Sequence, residues 1–305
     1  MSVDTPNWLA VSPEVEQALR GGTPLVALES TVITHGLPRP QNMSLAASLE
    51  EIIRQNQAVP ATAAILNGAP HLGLTASQLE QLALDENAVK ISRRDLGPAR
   101  AKGWTGGTTV SATMVLAQAG GLKVFATGGI GGVHHGDRGD VSTDLAELGR
   151  TPVAVVSAGA KAILDLPRTL EWLETAGVPV LGFQTDDFPA FYSLSSGYPV
   201  SVRADDIPQT AEILKAHWST GLSSGVLVCV PPPVEAALEV EQVNEWIGQA
   251  ESDAAEEGVR GKALTPFLLA RLFELSNGVT LETNLALLKN NAHIAAQLAI
   301  ALKES

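Results

Sequence analysis

Short runs of Val, Ile, Leu and Ala recur along the chain: "PLVALES", "ATAAILN", "AVKIS", "LKVFATGG", "PVAVVSAG", "PVLGFQTD" and "SGVLVCV". Each closes on Gly, Ser, Thr or Asp or their neighbours, and each is followed by apolar residues at helical spacing. Runs this short and this continuous read as strands buried on both faces, and the stretches between them read as crossover helices. The expected fold is therefore α/β, a three-layer α/β/α arrangement with a largely parallel central sheet. Local helix signals agree. Thr75 and Gln78 in "TASQLEQLAL" have the spacing of a capping box, and "SLAASLEEIIRQNQ" is periodic at 3.6 residues. The last third, "GKALTPFLLARLFELSNG" and "TLETNLALLKNNAHIAAQLAIAL", reads as mostly helical. No repeat, low-complexity block or long linker interrupts the pattern. Residues 1–305 are expected to form a single domain, with 1–20 as an N-terminal extension or helix.

Composition narrows the function. Lys and Arg number 20 against 33 Asp and Glu, a formal charge of -13, which argues against a general nucleic-acid or membrane-surface binder. An anionic ligand would need a local basic pocket. Cys229 is the only cysteine, so an internal disulfide and a Cys-rich zinc site are both excluded. The first 22 residues lack a basic n-region and a continuous apolar h-region, and no stretch reaches membrane-spanning length. A cytoplasmic protein is expected.

In an open α/β sheet, ligands bind where the carboxyl ends of the strands gather, so the polar residues closing each run are the candidates. Glu29 ends "LVALES"; carried into a crevice by a buried strand, its carboxyl would have a raised pKa and suit a proton donor, although a solvated strand end is the plain alternative. Lys161 lies between "VAVVSAGA" and "AILDL". It reads either as a neutral amine able to attack a sugar C1 or a carbonyl, or as a strand-end lysine reaching out to water. "KISRRDL" groups Lys90, Arg93 and Arg94 against Asp95, a set able to hold a phosphate or to form a salt-bridged surface turn. "GWTGGTTVSATM" leads into a helix whose first N–H groups could meet a phosphate, but it lacks the Gly-Lys-Ser/Thr ending of a P-loop. In "GGIGGVHHG" the dinucleotide register fails at His134, so the segment reads as a loop of close backbone approach, with His134 and His135 as loop donors. "GDRGDVSTD" offers Asp137, Asp140 and Asp144 as oxygen ligands for a hard divalent ion, or else an Asp-rich turn with a helix N-cap.

Together "LESTVITHGLPRPQN", "KISRRDL", "GGTTVSATM", "ATGGIGGVHHG", "DVSTDL", "SAGAKAILDLPRTLEWLETAGVPVLGF", "FPAFY", "GKALTPFLL" and "NLALLKNNA" resemble the pseudouridine-5'-phosphate glycosidase family, in the same order from about Leu25 to Leu298. The resemblance implies a lyase that reversibly cleaves the C–C glycosidic bond of pseudouridine 5'-phosphate to uracil and ribose 5-phosphate. It implies an α/β/α homotrimer with one Mn²⁺ per subunit, Mg²⁺ being an alternative. By matched position it makes Glu29 the proton donor and Lys161 the nucleophile, Asp140 the metal ligand, and Lys90, Val110, Ser142, Thr143 and Asp144 the substrate contacts. Ser157, His135 and the residues around "VCVPPP" depart from the family pattern, and none is a carried-over position. A Schiff-base aldolase and a non-catalytic ligand-binding domain are the competing expectations.

Overall fold

The structure, a computed structural model, describes residues 5–136, 139–259 and 264–303. The strands are β1 (Ala10–Val11), β2 (Leu25–Leu28), β3 (Val59–Leu66), β4 (Ala69–Leu72), β5 (Val89–Ile91), β6 (Gly106–Thr108), β7 (Val124–Ala126), β8 (Ala154–Ser157), β9 (Val180–Phe183), β10 (Val202–Ala204) and β11 (Val226–Cys229). The helices are α1 (Pro13–Gly21), α2 (Gln41–Gln55), α3 (Ala76–Leu84), α4 (Leu96–Lys102), α5 (Val110–Ala119), α6 (Thr143–Leu148), α7 (Leu166–Thr175), α8 (Ile207–Ser219), α9 (Val240–Glu256), α10 (Leu264–Leu275) and α11 (Val279–Lys303).

All seven apolar runs are strands. From β3 through β2, β7, β8, β11 and β9 to β10 every pairing is parallel, as continuous Val/Ile/Ala runs require when helices cover both faces. Beyond β3 the sheet changes character: β4 and β6 pair with β3 antiparallel, β5 pairs with β6, and β1 closes the edge against β4. The long apolar helix α11 packs on β2, β7 and β8 and is flanked by α2 and α8; α5 packs on β2, β3 and β7 and leads to α6. The helices start where local chemistry stops them slipping. Thr75 and Gln78 form the full capping box of α3, and Ser142 caps α6.

Register then decides what meets at the carboxyl ends. Leu28 pairs with Ala126 and Ala126 with Val156, so Glu29, Thr127 and Ser157 leave the sheet side by side. Past the strands, 127–131 and 157–161 stay zipped. Ala158 N–H donates to Gly128 O (2.8 Å), Ile130 N–H to Gly159 O (3.0 Å) and Lys161 N–H to Ile130 O (3.1 Å).

Candidate active site

These ends open into a cleft of about 340 Å³. Glu29, Lys90, Val110, Asp140, Ser142, Thr143, Asp144 and Lys161 all line it, so residues spread over 133 positions of the chain meet on one surface. A smaller cavity of about 60 Å³ adjoins it, sharing Glu29, Thr31, Lys90, Lys161 and Thr265 and adding His35, Thr127, Phe191 and Asn284.

Glu29 has its carboxyl pushed above the ordinary range by desolvation; the charge of Lys161 and the hydroxyl of Thr127, which donates to Oε1, pull it part of the way back. The strand end that carries it is pinned. Ser30 Oγ donates to Ala63 O (2.6 Å) and accepts from Thr108 N–H (3.0 Å), while Thr31 Oγ1 donates to Gly107 O (3.1 Å). Thr127 is pinned in turn from α11, where the buried Asn291 donates Nδ2–H to Thr127 O at 2.8 Å. Lys161 is dry on one side only: Ala158, Ala160 and Ile163 behind it are buried, while its own side chain faces the cleft.

Asp144 has little carboxylate left for a ligand. One oxygen accepts from Ser111 N–H (2.9 Å) at the start of α5 and the other from Gly131 N–H (2.9 Å). Gly131 must be glycine, because a Cβ there would lie 2.9 Å from Asp144 Oδ2 and overlap the Ser142 hydroxyl. Ser142 Oγ accepts from Asp144 N–H (3.2 Å), and Thr143 Oγ1 meets Ser111 Oγ at 3.1 Å. The segment "GGIGGVHHG" is thus the close-approach loop its broken dinucleotide register suggests.

The basic group divides, and for Arg93 the salt-bridged alternative holds. Lys90 and Arg94 line the cleft, whereas Arg93 turns away and binds Glu147. Successive residues of the single 3₁₀ turn at Arg93–Asp95 diverge by about a third of a circle, so both arginines cannot face one ligand. Asp95 is spent holding the turn, accepting from Ser92 N–H (3.0 Å) and Ser92 Oγ (2.7 Å).

Asp137 lies outside the described residues. Asp140 is exposed at the cleft rim, and burial holds the neighbouring His134 imidazole below its usual range, with Asp140 countering in part. Among the described residues no group of three His, Cys, Asp or Glu side chains gathers that could hold a metal ion. The donor set is one hard carboxylate beside hydroxyls. It fits a divalent ion that keeps most of its waters, and does not fit a closed protein cage.

Sequence reasoning marked Thr31 only as a strand-end polar residue, gave no role to Thr127, Phe191 or Thr265, and did not anticipate the site-facing placement of His35 and Asn284. Thr127 carried a signal, since it closes the fourth run. Asn284 and Thr265 sit on helices far along the chain, where no local pattern marks them. Phe191 is held at φ 62°, rare for a bulky residue, with its ring against Gly129.

A strand-end cleft that combines a desolvated acid, an amine and separate cations belongs to an α/β/α enzyme acting on a small anionic substrate. The family described as Indigoidine synthase A like protein matches residues 14–301. A pseudouridine-5'-phosphate glycosidase of Herpetosiphon aurantiacus is 52% identical over 97% of this chain and 99% of its own. One of Caldanaerobacter subterraneus subsp. tengcongensis is 50% identical over 97% of each. Two solved structures share the fold: an indigoidine synthase A-like protein of Thermotoga maritima (TM-score 0.89, 37% identity, 97% and 96% covered) and the prealnumycin C-glycosynthase AlnA in complex with ribulose 5-phosphate (0.91, 39%, 98% of each). The chain belongs to the indigoidine synthase A like family, among relatives named pseudouridine-5'-phosphate glycosidase.

Proposed function

We propose that this protein cleaves the C–C glycosidic bond of pseudouridine 5'-phosphate, reversibly, to uracil and ribose 5-phosphate. The observation that carries the reading is the meeting of Glu29 and Lys161 in one cleft that is also lined by Lys90 and Arg94. Relatives of that name at about half identity over nearly the whole chain support it.

The chemistry explains the residue types. Uracil bonded through carbon is a poor leaving group, so water and two carboxylates would not suffice. Once its proton has passed to solvent, the Lys161 amine attacks C1' while Glu29 gives its proton to the ring oxygen, so N–C1' forms, C1'–O4' breaks and the sugar opens. Glu29 recovers a proton from the new ammonium and delivers it to uracil C5. The C1'–C5 bond then breaks, its electron pair restoring the C5=C6 double bond, and the nitrogen lone pair forms an iminium that water hydrolyses to ribose 5-phosphate. Lys90 and Arg94 hold the phosphate, with the Val110 backbone and the Ser142, Thr143 and Asp144 run around the sugar. Mn²⁺, or Mg²⁺, would sit at Asp140 among waters and neutralise phosphate charge. A cytoplasmic homotrimer is part of the same reading.

Uracil release from pseudouridine 5'-phosphate, followed by absorbance with Mn²⁺ and with EDTA, tests it. Release that falls on chelation and returns with Mn²⁺ is expected. No release under either condition would end the proposal.

A further inference from the structure

Behind the cleft wall lies a charged cluster to which the reaction gives no task. Glu147, near the end of α6, is fully buried. Its carboxylate accepts from Arg93 Nη1 at 2.6 and 2.8 Å, from Arg150 Nε (3.2 Å) and Nη2 (2.9 Å), and from the Thr151 hydroxyl. A buried carboxylate is tolerated only when its partners are complete, so this cluster has one favoured arrangement.

Its position gives it a use. Lys90, Ser92, Arg94 and Asp95 line the cleft and Arg93 between them does not; Ser142, Thr143 and Asp144 line it and Glu147, one turn further along α6, does not. The pair therefore ties together two segments that line the cleft, one bearing cations and the other hydroxyls, through residues that do not line it themselves. A thinner link runs beside it, from Arg93 N–H to Ser111 Oγ (3.3 Å) and on to Thr143 Oγ1.

We propose that the Arg93–Glu147 pair is a positioning device that sets the spacing between the Lys90/Arg94 turn and the Ser142–Asp144 turn, and so makes the site select sugars bearing a terminal phosphate. The inference rests on the proposed phosphate-holding role of Lys90 and Arg94. Neither partner touches the ligand. Loosening them displaces phosphate contacts, where a shift of about 1 Å can cost up to a hundredfold, and leaves the base side alone.

The test is calorimetric titration of the full chain and its Arg93→Ala and Arg93→Lys variants with ribose 5-phosphate and with uracil, beside initial rates of uracil release. Arg93→Ala should weaken ribose 5-phosphate by about tenfold or more, raise KM alike, and leave uracil affinity unchanged and kcat within about threefold. Arg93→Lys, which keeps the charge without the planar fork, should fall between, and it carries the same comparison if the alanine variant does not fold. Unchanged ribose 5-phosphate affinity, or equal losses for both ligands, would overturn the proposal. Wild-type protein that releases no uracil while Arg93→Ala still loses ribose 5-phosphate would overturn the proposed reaction and leave the positioning role standing.

Discussion

Lys161→Ala should abolish uracil release while keeping the folded state and ribose 5-phosphate binding, because the amine forms the covalent bond and the phosphate is held elsewhere. Borohydride added during turnover should leave a sugar-sized increment on wild-type protein in intact-mass spectra, and an unmodified mass would count against the covalent step. Glu29 carries a pH signature of known sign. Its folded-state pKa lies above the unfolded one, so its contribution to stability is fully present below the unfolded pKa and is lost as pH rises through the folded value. Glu29→Gln should therefore be inactive yet melt higher than wild type at neutral pH, with the difference vanishing near pH 4. Thr127→Val removes the donor that favours the ionised form, so the limb on which activity declines with rising pH should move upward.

At the scale of elements, Asp144 joins three of them: the start of α5, the start of α6 and the glycine loop after β7. Asp144→Ala leaves the buried Ser111 N–H and the part-buried Gly131 N–H without their carboxylate and should cost about 2 kcal/mol in denaturant unfolding, with a loss of kcat/KM beyond that of Ser142→Ala. Legibility in the sequence also divides by element. The seven apolar runs, the Thr75 capping box and the polar residues closing strands announce themselves, because their signals lie within ten residues of each other. β1, β4, β6 and β10 did not. β6 is Gly-Gly-Thr and β10 carries an exposed arginine, so neither shows a strand pattern; their pairing comes from neighbours distant in the chain. Arg93 and Arg94 are indistinguishable as letters, and only the buried carboxylate 54 residues away separates them. Asn291 and Glu147 were invisible for the same reason.

The whole molecule places its single thiol on an interior strand of the sheet. Cys229 is fully buried at the end of β11, between β8 and β9, and burial pushes its pKa well up. A thiol reagent should leave the native protein unlabelled, and labelling should follow denaturant unfolding with the same midpoint as circular dichroism; prompt labelling without denaturant would contradict the packing. Among the described residues no helix is long and apolar enough to cross a membrane. The placement of α11 has one more consequence. Residues 279–303 cover β2, β7 and β8, yet they leave the ribosome after all eleven strands have been made. During synthesis, at roughly 5–20 residues per second, the part of the sheet face over β2, β7 and β8 stays bare for seconds, and Thr127 beside the acid lacks the asparagine that holds it. Unfinished chains are thus both sticky and inert, and chaperones that shield apolar surface have their window before that helix docks.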